Sequence, residues 1–293
     1  MKGIRNIGNS CYLNSALQMF MQNIQLCNLI IHFSKYSSKL DILKNFIYDY
    51  HNNTTPLEST NESFIYDIIN PIEIKELIDD RNNFFLGDYQ HDSTEFIIFL
   101  LDIIDTEIKN IIKSNQFDDV DYLKQIYGFT INNIIKCKRK TCLNIINTDI
   151  TDLILILNID SDSNNLDQIY DKTYCKEIFT DDNKYFCDKC NKLTIASKKT
   201  NVISCSNNLL IFIKRFSNLH NQHIDIPLEW KFDTYLQGAI IHYGNNSGGH
   251  YIYVGKHNDE WYIYNDSNIS KINLNKLNKI LAFSYCLYYK KKN

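Results

Sequence analysis

Gly8-Asn9-Ser10-Cys11-Tyr12-Leu13-Asn14-Ser15-Ala16-Leu17 sets a glycine and two good helix-capping residues directly before an amphipathic pattern. Apolar residues recur at three- and four-residue spacing through Tyr12, Leu13, Ala16, Leu17, Phe20 and Ile24, so a helix starts here with Cys11 in its first turn. The unpaired amides and the dipole at that end favour an anion. A thiol there is expected to fall from about 8.5 toward neutrality and to supply thiolate, its reactive form. A lone cysteine in a helix is more often a small core residue, so the remainder of the chain has to decide between the two readings.

Working outward, the helical texture continues to about Lys113, with Phe96, Phe99, Leu100, Ile103 and Ile104 again at helical spacing. The middle, from about Phe129 to Ser204, mixes short β-like runs such as Leu153 to Ile159 with polar loops, including Ser161 to Asp167. The last part reads as strands: Leu209 to Phe216, Gly238 to Tyr243, His250 to Gly255, Trp261 to Tyr264 and Phe283 to Tyr289 are rich in β-branched and aromatic residues. Helices first and antiparallel strands last predict an α+β architecture. A chain of 293 residues, 44% hydrophobic, is large enough for one sizeable domain.

The decisive context for Cys11 lies near the other end. Gly248-Gly249-His250-Tyr251-Ile252-Tyr253-Val254-Gly255 and Trp261-Tyr262-Ile263-Tyr264-Asn265-Asp266-Ser267 are two aromatic-rich runs joined by a short polar turn, the pattern of a β-hairpin. With the turn centred on Asn258, Asp266 falls opposite His250 within one position either way, so an imidazole meets a carboxamide or carboxylate across the ladder. A Cys–His–Asn/Asp site uses that pairing: the third group holds Nδ1–H, which leaves Nε2 to take the thiol proton. Register decides between Asn265 and Asp266, because a slip of one residue reverses the face. On its own His250 reads better as a solvated hairpin rim, but the two glycines before it permit close approach of a ligand.

Bulk properties exclude several classes. Lys and Arg number 31 against 34 Asp and Glu, so no field of one sign suggests a nucleic-acid groove or a membrane surface. No apolar run approaches the roughly 20 residues of a membrane-spanning helix. Asn6, Asn9, Ser10, Asn14 and Gln18 interrupt any secretory signal. An intracellular setting, cytoplasm or nucleus, is expected, where nine cysteines serve as thiols, metal ligands or a nucleophile rather than as disulfides.

Five blocks, in order, resemble the ubiquitin-specific proteases. Asn6-Ile-Gly-Asn-Ser-Cys11-Tyr-Leu-Asn-Ser-Ala-Leu-Gln is similar to that family's cysteine box, and Gln90-His-Asp92-Ser-Thr-Glu95-Phe to its second block. Leu210-Ile-Phe-Ile-Lys-Arg-Phe216 resembles its palm strand, while Gly248-Gly-His250-Tyr and Trp261-Tyr-Ile-Tyr-Asn265-Asp266-Ser resemble its histidine box. The resemblance implies a papain-like cysteine protease with a helical thumb (about 1–125), β-rich fingers (about 126–205) and an antiparallel palm (about 206–293). It implies Cys11 as nucleophile, His250 as base, Asn265 as the third residue, Asp266 as a supporting acid and Asn6 as oxyanion donor. Gln90, Asp92, Glu95, Gly248, Gly249 and Tyr251 are implied to hold the tail of ubiquitin, although Asp92-x-x-Glu95 also reads as a helix capping box. No redox or nucleotide cofactor is implied. A protease for a ubiquitin-like modifier and an idle ubiquitin-binding module are the alternatives. His91 stands where the family commonly has glutamine.

Cys137-x4-Cys142 and Cys187-x2-Cys190 are two close pairs about 45 residues apart, which predicts a Cys₄ structural zinc in the fingers. The first gap is wider than the family's usual two residues, and Cys175 and Cys205 stand as substitutes. Cys27 and Cys286 sit on apolar patterns and read as core. His220 and His223 read as a polar loop rather than a metal pair.

Overall fold

The computed structural model describes residues 1–52, 57–60, 63–65, 67–80, 83–215, 222–245 and 248–292. Phe216 and His220 lie outside the described residues. The N-terminal part contains helices Cys11–Met21, Ile24–Phe33, Ser38–His51, Ile72–Asp79 and Ser93–Asn115. Three of them open on a side-chain cap: Asn23 accepts from the Leu26 amide, Ser37 from that of Leu40, and Asp92 from those of Thr94 and Glu95. Each such cap stabilises by about 1 kcal/mol. Ser10 differs from the expectation for a capping residue. Its hydroxyl accepts from the Ile7 amide at 2.9 Å instead, and the helix Cys11–Met21 starts without a side-chain cap.

Every residue of Cys11–Met21 is buried. The helix packs on the strand Gly248–His257 and on the helix Ser93–Asn115, so its polar residues need internal partners. Gln18 donates to the Lys2 carbonyl at 2.8 Å and accepts from the Tyr50 hydroxyl at 2.6 Å. The polar stripe that makes the helix look amphipathic in sequence is therefore an internal seam.

Among the described residues the large sheet runs Asn268–Ile272, Glu260–Asn265, Gly248–His257, Thr234–Asn245, Ser284–Lys291, Asn208–Lys214, Ile154–Asn158, with Glu229–Trp230 paired to the outer part of Thr234–Asn245. Its pairs are antiparallel except the last, where Asn208–Lys214 runs parallel to Ile154–Asn158. Successive side chains enter two different cores. Leu210, Phe212, Tyr251, Tyr253, Cys286 and Tyr288 join the helices on one face. Leu209, Ile211, Ile213, Ile252, Val254, Leu287 and Tyr289 face helices Leu166–Thr173 and Leu274–Leu281 on the other. This explains why Leu209 to Ile213 reads as an unbroken apolar run. Burying each large side chain stabilises by roughly 1.5–3 kcal/mol.

A second, four-stranded sheet runs Ile145–Asp152, Phe129–Cys137, Ala196–Cys205, Glu177–Phe179. Its strand Ile145–Asp152 leads into palm strand Ile154–Asn158, and Ala196–Cys205 leads into Asn208–Lys214.

Candidate active site

The loop before Cys11 is shaped by two left-handed residues, Gly8 (φ 108) and Asn9 (φ 48). A Cβ at Gly8 would stand 3.0 Å from the Asp88 carboxylate, in a backbone conformation that side chains disfavour. The turn aims the amides of Gly8 and Ser10 at Asn6 Oδ1, at 3.1 and 3.2 Å. Two N–H donors on one side fix which end of the Asn6 amide is oxygen. Its Nδ2 therefore points away from them, and donates to Asp266 Oδ2 at 2.9 Å. An amide nitrogen carries two hydrogens, and among the described residues Asp266 is its one acceptor.

Cys11 is 4% exposed at the helix start. Burial pushes its thiol up, the facing Tyr251 amide pulls it down, and the Asp266 charge pushes it up again, leaving the group above its ordinary value. The expected fall toward neutrality is overturned for the free protein: loss of water outweighs the amides that point at the sulfur. The contact with Tyr251 puts the sulfur beside the residue that follows His250. Among the described residues no hydrogen bond joins Cys11 Sγ to the His250 ring.

His250 Nε2 lies 2.6 Å from Asn265 Oδ1. A carboxamide oxygen only accepts, so Nε2 carries the proton and Nδ1 is the ring's basic nitrogen. This reverses the expected assignment of the two nitrogens. The register explains the choice of Asn265. His257 pairs with Glu260 and Tyr253 with Tyr264, with left-handed Asn258 and Asp259 between the strands, so the turn centres between those two residues. Continued outward, that register sets His250 level with Ser267, not Asp266. Asn265, two residues back, is then its diagonal neighbour on the same face. Asp266 falls on the other face and turns left-handed (φ 51). It accepts from Asn6 and, through Oδ1, from Asn14 Nδ2 at 2.7 Å.

From Cys11 a groove of about 510 Å³ runs between the helices and the sheet, lined among others by Gln90, Asp92, Glu95, Gly248, Gly249 and Tyr251. Gln90 Oε1 accepts from the Gly249 amide at 2.9 Å. Asp92 caps the helix Ser93–Asn115 with Oδ1 and accepts from the Tyr251 hydroxyl with Oδ2 at 3.1 Å. The capping box is thus half made, because among the described residues Glu95 returns no bond to Asp92. Its place in the groove removes water from Glu95 and, with the Asp92 charge, pushes its carboxyl up. His91 packs its ring 5.2 Å from that of Tyr12 and 5.1 Å from that of Phe85, and burial pushes it down.

At the far end of the second sheet Cys137, Cys142, Cys187 and Cys190 bring their sulfurs within 4.8 Å of one another. The Cys142 and Cys187 sulfurs are 3.8 Å apart, which matches the roughly 3.8 Å edge of a tetrahedron with bonds of about 2.3 Å to a central metal. The Thr194 hydroxyl, 3.4 Å from Cys137, pulls that thiol down to about 7. Four sulfurs gathered this closely can hold a metal ion. The wider first gap is absorbed by a turn in which the Cys142 amide donates to the Arg139 carbonyl. Cys175 is exposed and Cys205 sits in the core; neither joins the cluster.

The family model described as ubiquitin carboxyl-terminal hydrolase matches residues 2–289. The chain belongs to that family. It is 26% identical over 322 residues to ubiquitin carboxyl-terminal hydrolase 25 of Arabidopsis thaliana, covering 99% of this chain and 47% of that protein. It is also 26% identical to ubiquitin carboxyl-terminal hydrolase 42 of Homo sapiens, covering 98% of this chain and 22% of the relative. The chain thus spans less than half the length of these two relatives. A chain of the SAGA DUB module bound to monoubiquitin superposes on it with a TM-score of 0.80 at 22% identity, covering 100% of this chain and 69% of that one. The shared fold is the papain-like α+β arrangement.

In this ubiquitin carboxyl-terminal hydrolase domain two groove residues escaped the sequence reading. His242 stacks its ring 4.4 Å from that of Tyr251, its partner across the ladder, and underlies Gly249. Tyr285, from the neighbouring strand, lies 5.3 Å from His242. His242 is reached through the register of the hairpin that carries Tyr251, whereas Tyr285 comes from a strand distant in sequence, whose pairing leaves no local signature. No helix among the described residues is long and apolar enough to cross a membrane.

Proposed function

We propose that this chain is a cysteine-type deubiquitinase that hydrolyses the peptide or isopeptide bond after the C-terminal glycine of ubiquitin, through an acyl-enzyme on Cys11. One observation carries the reading: the Asn265 bond to Nε2 leaves Nδ1 as the basic nitrogen of His250, whose neighbour Tyr251 turns its amide to Cys11 Sγ. Free active sites often hold such pairs loosely and tighten them around substrate.

His250 Nδ1 takes the proton of Cys11, and the sulfur forms a bond to the glycine carbonyl carbon. The oxyanion rests on the second hydrogen of Asn6 Nδ2 and on backbone amides, a stabilisation of about 3 kcal/mol per donor in comparable sites. The imidazolium then protonates the departing amine. Water, deprotonated by Nδ1, attacks the thioester and restores the thiol. Gly248 and Gly249 keep the channel narrow: a Cβ on Gly249 would stand 2.3 Å from His242 Nε2. Asp92 and Glu95 offer carboxylates to the tail that enters it.

On this reading residues up to about 125 form the thumb, about 126–205 the fingers and the remainder the palm, with Ile154–Asn158 contributed to the palm sheet from the middle segment. The Cys₄ set suits zinc, which fixes the fingertip without entering the chemistry. An intracellular, reducing setting keeps these thiols free. Ubiquitin bearing a C-terminal electrophile tests the function. A covalent adduct with the protein, absent in Cys11→Ala, supports it; an adduct only with probes built on a ubiquitin-like modifier transfers the activity to that modifier, and no adduct with any probe removes it.

A further inference from the structure

Asn14 lies one helical turn beyond Cys11 and is 2% exposed. Its Nδ2 faces three acceptors: the Ile4 carbonyl at 3.4 Å, the Arg5 carbonyl at 3.2 Å and Asp266 Oδ1 at 2.7 Å. Only one orientation of a carboxamide suits such a set. That orientation leaves Asn14 Oδ1 buried without a partner. A buried amide that forgoes one of its own bonds is held in place by what its other end does.

What that end does is grip a carboxylate. Asp266 gives Oδ1 to Asn14 and Oδ2 to Asn6, so one acid ties the helix of the nucleophile to the loop of the oxyanion donor. The Asp266 carbonyl also accepts from the Ile4 amide at 2.9 Å, which closes the corner after Asn265 onto the strand Gly3–Ile4. Without the Asn14 bond the carboxylate keeps Asn6 as its one partner and is able to turn, which loosens the aim of the Asn6 amide and leaves the corner that carries Asn265 on its main-chain bond alone.

We propose that Asn14 is a positioning residue of the active site: by clamping Asp266 it sets the aim of the Asn6 amide and the seat of Asn265 without itself touching substrate. The inference rests on the hydrolase reading of the same site. A purely structural Asn14 would hold the helix to Gly3–Ile4 and leave chemistry untouched.

The test is a double-mutant cycle on a fluorogenic ubiquitin amide. Asn14→Ala and Asp266→Asn are each expected to lower kcat at least tenfold with KM within about twofold, and the double variant to be no slower than the slower single one. The exchange Asn14→Asp with Asp266→Asn rebuilds the amide–carboxylate pair in reverse and is expected to recover at least tenfold over Asn14→Asp alone. Losses that multiply in the double variant, an exchange that recovers nothing, or an Asn14→Ala kcat lost only in proportion to the unfolded fraction seen by circular dichroism would overturn the proposal. A second arm needs no ubiquitin: the pH midpoint of Cys11 alkylation by iodoacetamide. Since Asn14 acts through Asp266, removing it moves the midpoint in the wild-type background and not in the Asp266→Asn background. Should wild type leave ubiquitin amides intact, the proposed function falls, while the alkylation cycle still decides the clamp: a shift that persists in Asp266→Asn sinks it.

Discussion

Tyr251 donates its hydroxyl to Asp92 Oδ2 at 3.1 Å across 159 positions of sequence, joining the strand that carries His250 to the residue that caps the helix Ser93–Asn115. The bond spans the groove between the helical and the sheet halves. Removing it by Tyr251→Phe leaves the Asp92 cap intact and costs about 1 kcal/mol, since the carboxylate is partly solvated. Urea denaturation measures that loss, and KM for a ubiquitin amide is expected to rise more than kcat falls. An unchanged KM would show that the bond does not shape the groove.

Gly249→Ala sets a methyl group 2.3 Å from His242 Nε2 and 2.4 Å from the Tyr243 carbonyl. One of these atoms is backbone, so the strands have to separate, at a cost of about 1–3 kcal/mol. Turnover is expected to drop by at least a hundredfold while the protein still folds. Near wild-type kcat/KM in this variant would mean that the channel does not have to be narrow.

Asn265→Ala frees the His250 ring to rotate and to change tautomer. General acid–base contributions of roughly a hundredfold or more are at stake. Asn265→Asp keeps an acceptor on Nε2–H and is expected to retain more activity than Asn265→Ala. The reverse order in steady-state kcat would argue against the Nε2 assignment.

Burial and the Asp266 charge hold the Cys11 thiol above its ordinary value near 9 in the free protein. At neutral pH the neutral thiol dominates, and thiolate accumulates only as pH rises past about 9. Alkylation of Cys11 by iodoacetamide, read by mass spectrometry, is therefore expected to climb steadily between pH 7 and 10. A plateau reached by pH 7 would indicate a preformed thiolate.

Zinc analysis of the purified protein is expected to give one metal per chain, lost in Cys187→Ser. Chelation is expected to lower the melting temperature, with the larger loss of protection from hydrogen exchange at residues 185–194. A metal-free protein with unchanged melting behaviour would remove the structural role.

Local sequence carried much of this site. Gly8 to Leu17 announced a helix with its cysteine in the first turn, and the two aromatic runs after Gly248 announced a hairpin, because both signals arise from neighbours in the chain. What escaped was set by single-residue geometry. Sequence leaves the register open between Asn265 and Asp266; the turn centres between Asn258 and Asp259 rather than on Asn258, and that half-step sets Asn265 on the His250 face and Asp266 on the other. Ser10 looked like a cap and became a loop brace, since Asn6 and Ile7 fold back onto it. The thiol shift went the opposite way because a helix start favours an anion only while water or a counter-charge remains near it. Tyr285 owes its place to long-range pairing, and His242 to the exact register of the hairpin that carries Tyr251.

The two sheets share continuous strands. Ile145–Asp152 runs on into Ile154–Asn158, and Ala196–Cys205 into Asn208–Lys214, and these two palm strands are parallel neighbours. The cysteine knuckles therefore sit at the tip of a cantilever rooted in adjacent beams, and a load applied there reaches Phe212 and Ile213 at the groove wall along covalent backbone. A body that leans on the tip works a lever whose short arm ends beside the chemistry.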